Sequence, residues 1–201
     1  MAETIVKTSV RKRLNPNERK QQLLQAAIDL FAEKGLGEAK HADIARRVGI
    51  STAATFVYFP TREALLASVV DEVGRFFLSL FDEVEPHKDG APEILKSLAY
   101  RTLHAEESHP NYVRVWLDWG TRFDDEMRDR YLGFQDKVLS KLSELLWACE
   151  DNISKENRDD ARILLSASNA LTMMKFDGEP AEKLERFTEH TIAVVLAYSR
   201  R

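Results

Sequence analysis

A glycine between two short helical patterns, within residues 40–63, constrains the fold of this 201-residue chain more than any other feature. The first pattern has one apolar stripe, because residues three or four apart share a helix face: Ile44, Ala45 and Val48. Gly49 ends that helix, since glycine adopts a left-handed backbone without a steric penalty. Ser51 is a favourable N-cap for a second helix over about residues 52–59. This spacing predicts a helix-turn-helix.

The predicted second helix begins with small side chains at Thr52, Ala53 and Thr55, which we expect to point outward. Small side chains allow a helix to lie deep in the DNA major groove, where its first residues contact base edges. The alternative is an αα-hairpin with a purely structural role, in which Gly49 only ends a helix. Charge favours DNA, because residues 1–62 contain eleven Lys or Arg against six Asp or Glu, although the whole chain has a net charge of −4.

The composition is that of a chain with a sizeable core. Hydrophobic residues make up 44% of the sequence and charged residues 31%. The only cysteine, Cys149, excludes an intramolecular disulfide framework and fits a reducing compartment. Apolar runs fall short of the roughly 18 residues that a membrane span requires. We therefore expect a cytoplasmic protein without a membrane segment.

The apolar periodicity predicts an all-α chain of about nine helices. The first helix has a strong start, with Asn15 as N-cap and Pro16 at the first helical position, and runs to about Lys34. Together with the two helices of the helix-turn-helix it makes a compact three-helix head. The other predicted helices cover about residues 62–84, 91–108, 112–119, 124–149, 154–176 and 179–200.

The last two predicted helices carry apolar residues over more than one face. A helix of this kind needs a second apolar surface, which favours a four-helix interface between two copies of the chain. A two-fold dimer also suits DNA binding, because it reaches two half-sites on one side of the duplex. We therefore expect a homodimer formed through the last two helices.

Signatures of enzymes are weak in this sequence. His104 and His109 are five residues apart and so do not share a helix face, and Cys149 has no metal-ligand spacing around it. We find no catalytic triad order, glycine-rich phosphate loop or zinc signature. We therefore expect no catalytic residues, no metal and no cofactor. The alternative to a DNA-binding protein is a helical ligand-binding or adaptor protein without DNA activity.

Several segments together resemble the TetR family of transcriptional regulators. They are the capped first helix after a basic arm, the helix-turn-helix, the step YFPTRE and the long helix that follows. Within that family the stretches RKRLNPNERK, KHADIA, ISTAATFVYFPTRE and VRVWLDWGTRFDDEM are similar to the quorum-sensing master regulators of vibrios, the LuxR, HapR and SmcR group. The resemblance covers most of the chain and weakens after about residue 150.

The resemblance implies a two-domain homodimer with a DNA-binding domain over residues 1–60 and a dimerisation and ligand-binding domain over residues 61–201. The expected partner is a double-stranded DNA operator in the promoters that the protein regulates. Repression is one form that this regulation can take. The residues that the resemblance assigns to DNA are Arg11 and Arg13 in the minor groove, Ser51, Thr52, Ala53, Thr55 and Val57 facing the major groove, and Tyr58 and Arg62 at phosphates. Val57 departs from the vibrio regulators, which have Asn there, so their operator sequence does not transfer.

A group of apolar side chains in the second domain is a candidate pocket for a small apolar ligand. Its members are Phe76, Phe77, Leu103, Trp116, Trp119, Phe123, Met173 and Phe176. Trp116 and Trp119 are three residues apart and can face the same interior. The alternative is that these side chains fill a helical core, with each buried indole N–H bonded to another protein group.

Overall fold

The computed structural model describes residues 14–82, 84, 90–122, 125–149 and 158–199. Within these residues the chain is all-α, as predicted. Its helices are α1 Pro16–Lys34, α2 His41–Val48, α3 Thr52–Tyr58, α4 Arg62–Ser79, α5 Ala91–Ser108, α6 Pro110–Gly120, α7 Asp125–Cys149, α8 Asp159–Phe176 and α9 Ala181–Ser199. None of these nine helices combines the length and the apolar character needed to cross a membrane.

Helix α1 begins with the capping arrangement that its sequence predicts. The side chain of Asn15 accepts a hydrogen bond from the backbone N–H of Glu18 at 2.9 Å, and the Glu18 carboxylate accepts one from the Asn15 N–H at 2.7 Å. Both bonds satisfy backbone donors that lack partners at a helix start. Pro16 occupies the first helical position, where a missing N–H is harmless.

Helix α4 ends at Ser79, five residues earlier than the apolar periodicity predicts. Residues 80–82 continue as tight turns, in which the N–H of Leu80, Phe81 and Asp82 each bonds the carbonyl three residues back. Such turns keep apolar residues at nearly helical spacing, so the sequence pattern does not reveal the change in winding. The turns direct Leu80 and Phe81 into the interior, where both line a cavity described below.

Helix α6 starts two residues earlier than predicted, because Pro110 takes its first position. It lies between α1, α4, α5 and α7 and contacts each of them. Helices α8 and α9 pack on each other, and α5 contacts both. The predicted start of α8 near Ser154 lies outside the described residues, as does the predicted end of α9 at Arg200.

The buried apolar side chains of α1, α2 and α4–α8 form one continuous cluster. An aromatic group lies at its centre, with Trp116 stacked on Tyr131 at 5.3 Å and against Phe134 at 4.9 Å between ring centroids. Gly74 of α4 allows this approach, since a Cβ there would lie 2.9 Å from the Phe134 ring. The three-helix head therefore packs on the rest of the protein rather than standing apart from it.

Candidate DNA interface and ligand cavity

The turn between α2 and α3 has the geometry that glycine permits. Gly49 is in the left-handed region, with φ 73° and ψ 43°, and its N–H bonds the carbonyl of Ala45 at 2.9 Å. Ser51 then caps α3 by accepting a hydrogen bond from the Ala54 N–H at 3.2 Å. These two residues define where α2 stops and how α3 leaves it, so they set the helix-turn-helix geometry.

The outward face of α3 consists of Thr52, Ala53, Phe56 and Val57. Val57 is 78% exposed and Phe56 is 45% exposed, both high values for large apolar residues. Thr55 was expected on this face, but it is fully buried and its hydroxyl donates to the Thr52 carbonyl at 2.6 Å. The reason is helical spacing, since Thr55 lies about 150° around α3 from the midpoint between Phe56 and Val57.

His41, the first residue of α2, holds α3 in place through two contacts. Its Nε2 lies 2.8 Å from the carbonyl oxygen of Phe59, which can only accept, so this nitrogen carries the proton. The imidazole also stacks on the Phe56 ring at 4.2 Å between centroids, with 10° between the planes. Phe56 thus has one ring face supported by protein while much of its surface stays exposed. A preorganised apolar side chain of this kind loses little conformational entropy on binding.

Charged side chains of the head are partly held by ion pairs. Arg47 donates to both carboxylate oxygens of Glu33, at 2.9 and 2.6 Å, which lowers the pKa of Glu33. The hydrogen bond from the Lys40 backbone N–H lowers the pKa of Asp43, and neighbouring cations lower it further. The Arg46 side chain is 78% exposed and reaches Asp43 at 3.2 Å. Because these pairs are at the surface, their cations can exchange a carboxylate for a phosphate at small cost.

The structure places the other residues expected at DNA in different settings. Arg11 and Arg13 lie outside the described residues. Tyr58 is half-buried, at the end of α3. Arg62 donates through Nη2 to the carbonyl oxygens of Leu36, at 3.1 Å, and of Gly37, so it holds the turn between α1 and α2.

An apolar cavity of about 110 Å³ lies among α4, α5, α6, α7, α8 and α9. Its wall contains Phe77, Leu80, Phe81, Leu95, Leu98, Ala99, Thr102, Trp116, Phe134, Val138, Leu142, Leu164, Leu165, Ala167, Ser168, Asn169, Leu171, Thr172, Phe187, Thr188, Thr191 and Ile192. No described residue of this wall carries an ionisable side chain. The cavity is smaller than the roughly 300–1,000 Å³ typical of sites for drug-sized ligands.

The polar groups of the cavity wall are few and mostly engaged. The indole N–H of Trp116 donates to the Asn169 side-chain oxygen at 3.0 Å. The hydroxyls of Thr102, Thr172 and Thr188 each donate to the carbonyl four residues back. The hydroxyl oxygens keep lone pairs that can accept from a ligand, and the Asn169 amide can donate. The wall therefore suits an uncharged, mainly apolar molecule.

Of the seven expected pocket residues that the structure describes, two line this cavity, Phe77 and Trp116. Phe76 lines a separate open groove between α4 and α5, and Phe123 lies outside the described residues. Leu103 and Phe176 are half-buried away from the cavity wall. The sequence does not distinguish these positions, because apolar residues occupy several sides of the helices concerned.

Trp119 and Met173 were also expected at the pocket, but both lie away from the cavity wall. Trp119 is 2% exposed and its indole N–H donates to the Met127 carbonyl at 3.0 Å, so it fills the core behind Trp116. The two indoles meet edge to face, with centroids 6.1 Å apart. Met173 is 47% exposed and lies on the outer side of α8.

None of the cavity-wall residues on α7, α8 and α9 was expected there from the sequence, and Phe56 was not expected at the α3 surface. Phe56 was available from helical spacing, since it lies four residues after Thr52. Phe134, Val138 and Leu142 follow the same rule along α7. Asn169 gave no signal in the sequence, because only the folded chain brings it beside Trp116.

Helix α6 connects the cavity to the head. Trp116 lies in the cavity wall, and two residues later the Asp118 carboxylate accepts a hydrogen bond from the Leu36 N–H at 2.8 Å. Nearer its start, Asn111 donates to Asp29 of α1 at 2.9 Å. One helix thus contacts the cavity and two places on the head.

Comparison with known proteins agrees with this geometry. Residues 23–69, which span most of α1 through the first part of α4, match the family model described as bacterial regulatory proteins, tetR family. The transcriptional regulator LuxR of Vibrio harveyi is 34% identical over 117 residues, which are 58% of this chain and 57% of LuxR. The chain therefore contains a segment that matches the tetR family and is similar to the regulator LuxR. It spans less than two thirds of the length of this curated relative.

Solved structures of TetR-like proteins share the whole fold. A transcriptional regulator from Rhodococcus sp. Rha1 has a TM-score of 0.77 at 21% identity, over 90% of this chain and 98% of that chain. FadR from Bacillus subtilis, in complex with stearoyl-CoA, has a TM-score of 0.70 at 16% identity, over 87% of this chain and 96% of that chain. The all-α TetR fold therefore extends through α8 and α9. Regulators of this family bind DNA and small molecules, and they typically dimerise.

Proposed function

We propose that this protein is a sequence-specific DNA-binding transcriptional regulator of the TetR family that acts as a homodimer on promoter operators. The observation that carries the proposal is the outward face of α3, which is exposed next to the glycine turn of a tetR-family domain. A short helix held in this way enters the major groove with its first turns against the bases. In this proposal residues 1–60 bind DNA and residues 61–201 dimerise and hold the ligand.

The DNA contacts of the head divide into base contacts and phosphate contacts. Thr52, Ala53 and Val57 are exposed on α3 and face the major groove in this arrangement. Arg11 and Arg13 precede the capped start of α1, which brings a basic arm to the adjacent minor groove. Phosphate contacts add affinity without sequence preference, whereas the α3 contacts select the operator.

The dimer forms through α8 and α9. On α8 four exposed residues at helical spacing are apolar or small: Ile163, Ser166, Ala170 and Met173. On α9 the exposed set includes Ala193, Val194, Ala197 and Tyr198. When a two-fold axis relates two such helix pairs, their exposed apolar faces are buried in a four-helix bundle. Two-fold symmetry is the usual closed symmetry of a homodimer.

A small uncharged ligand in the cavity changes DNA affinity in this proposal. Its support is the wall without ionisable side chains and the position of α6 between the cavity and the head. FadR, which shares the fold, was crystallised with stearoyl-CoA. A ligand regulates only if it binds two conformations unequally, so a ligand that displaces Trp116 acts through the contacts of α6 with α1.

A mobility-shift assay on genomic fragments tests DNA binding against a role as a ligand-binding or adaptor protein. We expect shifts of a small subset of fragments that persist with excess nonspecific DNA. No selective shift, by a protein shown to be folded, would contradict the proposal. Light scattering tests the dimer: Val194→Glu should give monomers, because it buries a charge in the interface. Leu132→Glu, at an exposed apolar position of α7, is the matched control and should remain dimeric.

A further inference from the structure

The outward face of α3 is chemically unusual for a surface that selects bases by hydrogen bonding. Its members are Thr52, Ala53, Phe56 and Val57, and α3 is described over its full length. Within that helix no Asn, Gln, Arg or Lys is present. Hydrogen-bond readout of bases in the major groove depends mainly on those side chains, which bind two atoms of one base edge. The Thr52 hydroxyl is the single side-chain hydrogen-bonding group on this face.

The same face exposes large apolar side chains to solvent, which is unfavourable unless a partner covers them. Phe56 is 45% and Val57 78% exposed, and they are adjacent on the helix surface with Ala53 one turn earlier. Phe56 is also held in place, since its ring stacks on His41 while His41 is anchored to the Phe59 carbonyl. An apolar patch fixed on a helix that enters the major groove needs an apolar partner on the floor of that groove.

The floor of the major groove offers one apolar group, the methyl on C5 of a pyrimidine. We propose that α3 recognises C5-methyl groups of pyrimidines through Phe56 and Val57. Thymine is one source of this group, and 5-methylcytosine is the other. This inference rests on the proposed DNA-binding function, and it specifies which chemical feature of the operator determines affinity.

The test changes the DNA and leaves the protein intact. An operator is first enriched from randomised duplexes with the full-length chain, and each symmetric pair of thymines is then replaced by uracil, which lacks only the methyl. Burying one methyl is worth about fourfold in affinity, so a symmetric pair of contacts predicts a loss of about fifteenfold. Fluorescence anisotropy measures the dissociation constants at one fixed salt concentration, because salt alters every phosphate contact.

A second set of duplexes separates the two sources of the methyl. Replacing the sensitive T·A pairs by C·G should weaken binding at least as much as uracil does. Methylating that cytosine at C5 should restore part of the affinity, because the methyl returns to the same place in the groove. Restoration shows that either pyrimidine is accepted. Sensitivity to uracil without restoration also supports methyl recognition, and limits it to thymine.

Protein variants assign the effect to α3. Val57→Ala, at a side chain that is mostly in solvent, should reduce the ratio between thymine and uracil operators, and Phe56→Ala should reduce it further. Leu132→Ala, at a comparably exposed apolar position of α7, should leave the ratio unchanged. Equal affinity for thymine and uracil at every position would overturn the inference while leaving DNA binding established. Failure to enrich any operator would instead overturn the proposed function, and this inference with it.

Discussion

The Asp118 carboxylate accepts a hydrogen bond from the backbone N–H of Leu36 at 2.8 Å, across 82 positions of the chain. Arg62 bonds the carbonyl of the same Leu36, so α4 and α6 together satisfy both backbone groups of one residue in the α1–α2 turn. A charged acceptor makes such a bond strong, and a partly buried N–H without a partner is costly. The turn is therefore a fixed point between the head and the helices that line the cavity.

Replacing Asp118 by alanine should lower the free energy of unfolding by about 1–3 kcal/mol, because the Leu36 N–H loses its acceptor in a partly buried site. Asp118→Asn keeps an acceptor oxygen and should cost less. Urea denaturation measures both changes. Asp129→Ala, at an exposed position of α7, is the control and should stay close to the parent protein. A loss for Asp118→Ala no larger than the control would show that water replaces the carboxylate freely.

The basic arm gives a prediction about salt. Replacing Arg11 and Arg13 together by alanine should weaken operator binding at least tenfold, about 1.4 kcal/mol, because two cations no longer displace counterions from the duplex. The same loss should flatten the dependence of affinity on salt concentration. Titrations from low to moderate salt measure both quantities, and light scattering should show an unchanged dimer. Parent affinity with an unchanged salt slope would remove the arm from the DNA contacts.

The cavity predicts binding of a small uncharged molecule, for which benzene is a suitable probe. An apolar cavity of about 150 Å³ is known to bind benzene, so the volume of about 110 Å³ requires a small expansion of the wall. Benzene should quench tryptophan fluorescence, because Trp116 lies in that wall. It should also alter operator affinity if α6 transmits the change.

Two alanine-to-leucine variants show whether the fluorescence response comes from the cavity. Ala167→Leu places a larger side chain in the wall and should abolish the quenching. Ala148→Leu adds the same atoms at an exposed position of α7 and should leave it intact. Quenching that persists in Ala167→Leu would place the probe elsewhere, for example near the exposed Trp147.

The sequence predicts the helices well because their limits depend on local chemistry. The Asn15 cap, the Ser51 cap and Gly49 each act through bonds or dihedral angles within a few residues. The prediction of where α4 ends was wrong, because the turns after Ser79 preserve the spacing of apolar residues. Local chemistry is therefore a better guide to where helices begin than to where gradual changes of winding occur.

The candidate sites were harder to predict, because they depend on which side of a helix meets which neighbour. Thr55 was expected outward on account of its size, yet helical geometry turns it inward and brings Phe56 out. Trp119 and Trp116 are equivalent by spacing, but only Trp116 reaches the cavity. That choice depends on contacts that exist only in the folded chain, such as the hydrogen bond from Trp116 to Asn169, 53 residues away in sequence.

Val57 gives the sharpest test of how α3 lies on DNA. It is the most exposed large apolar residue of the described chain, and the related vibrio regulators have Asn at this position. An Asn amide can bond two atoms of an adenine edge, whereas Val offers only apolar contact, so Val57→Asn should shift one base preference by roughly 1–3 kcal/mol. Nonspecific affinity should change little, because it depends on phosphate contacts that the substitution leaves in place.

Selection from randomised DNA with the parent protein and Val57→Asn measures the shift. We expect the two enriched motifs to differ at one symmetric pair of positions, with adenine favoured by the variant where the parent favours thymine or tolerates several bases. The fold should be unaffected, because the Val57 side chain is mostly in solvent and an Asn side chain is of similar size. Because Val57 and Phe56 are adjacent on the surface of α3, the changed position should be the uracil-sensitive one or its immediate neighbour. Identical motifs would mean that Val57 points away from the bases, and that α3 enters the groove on a different face.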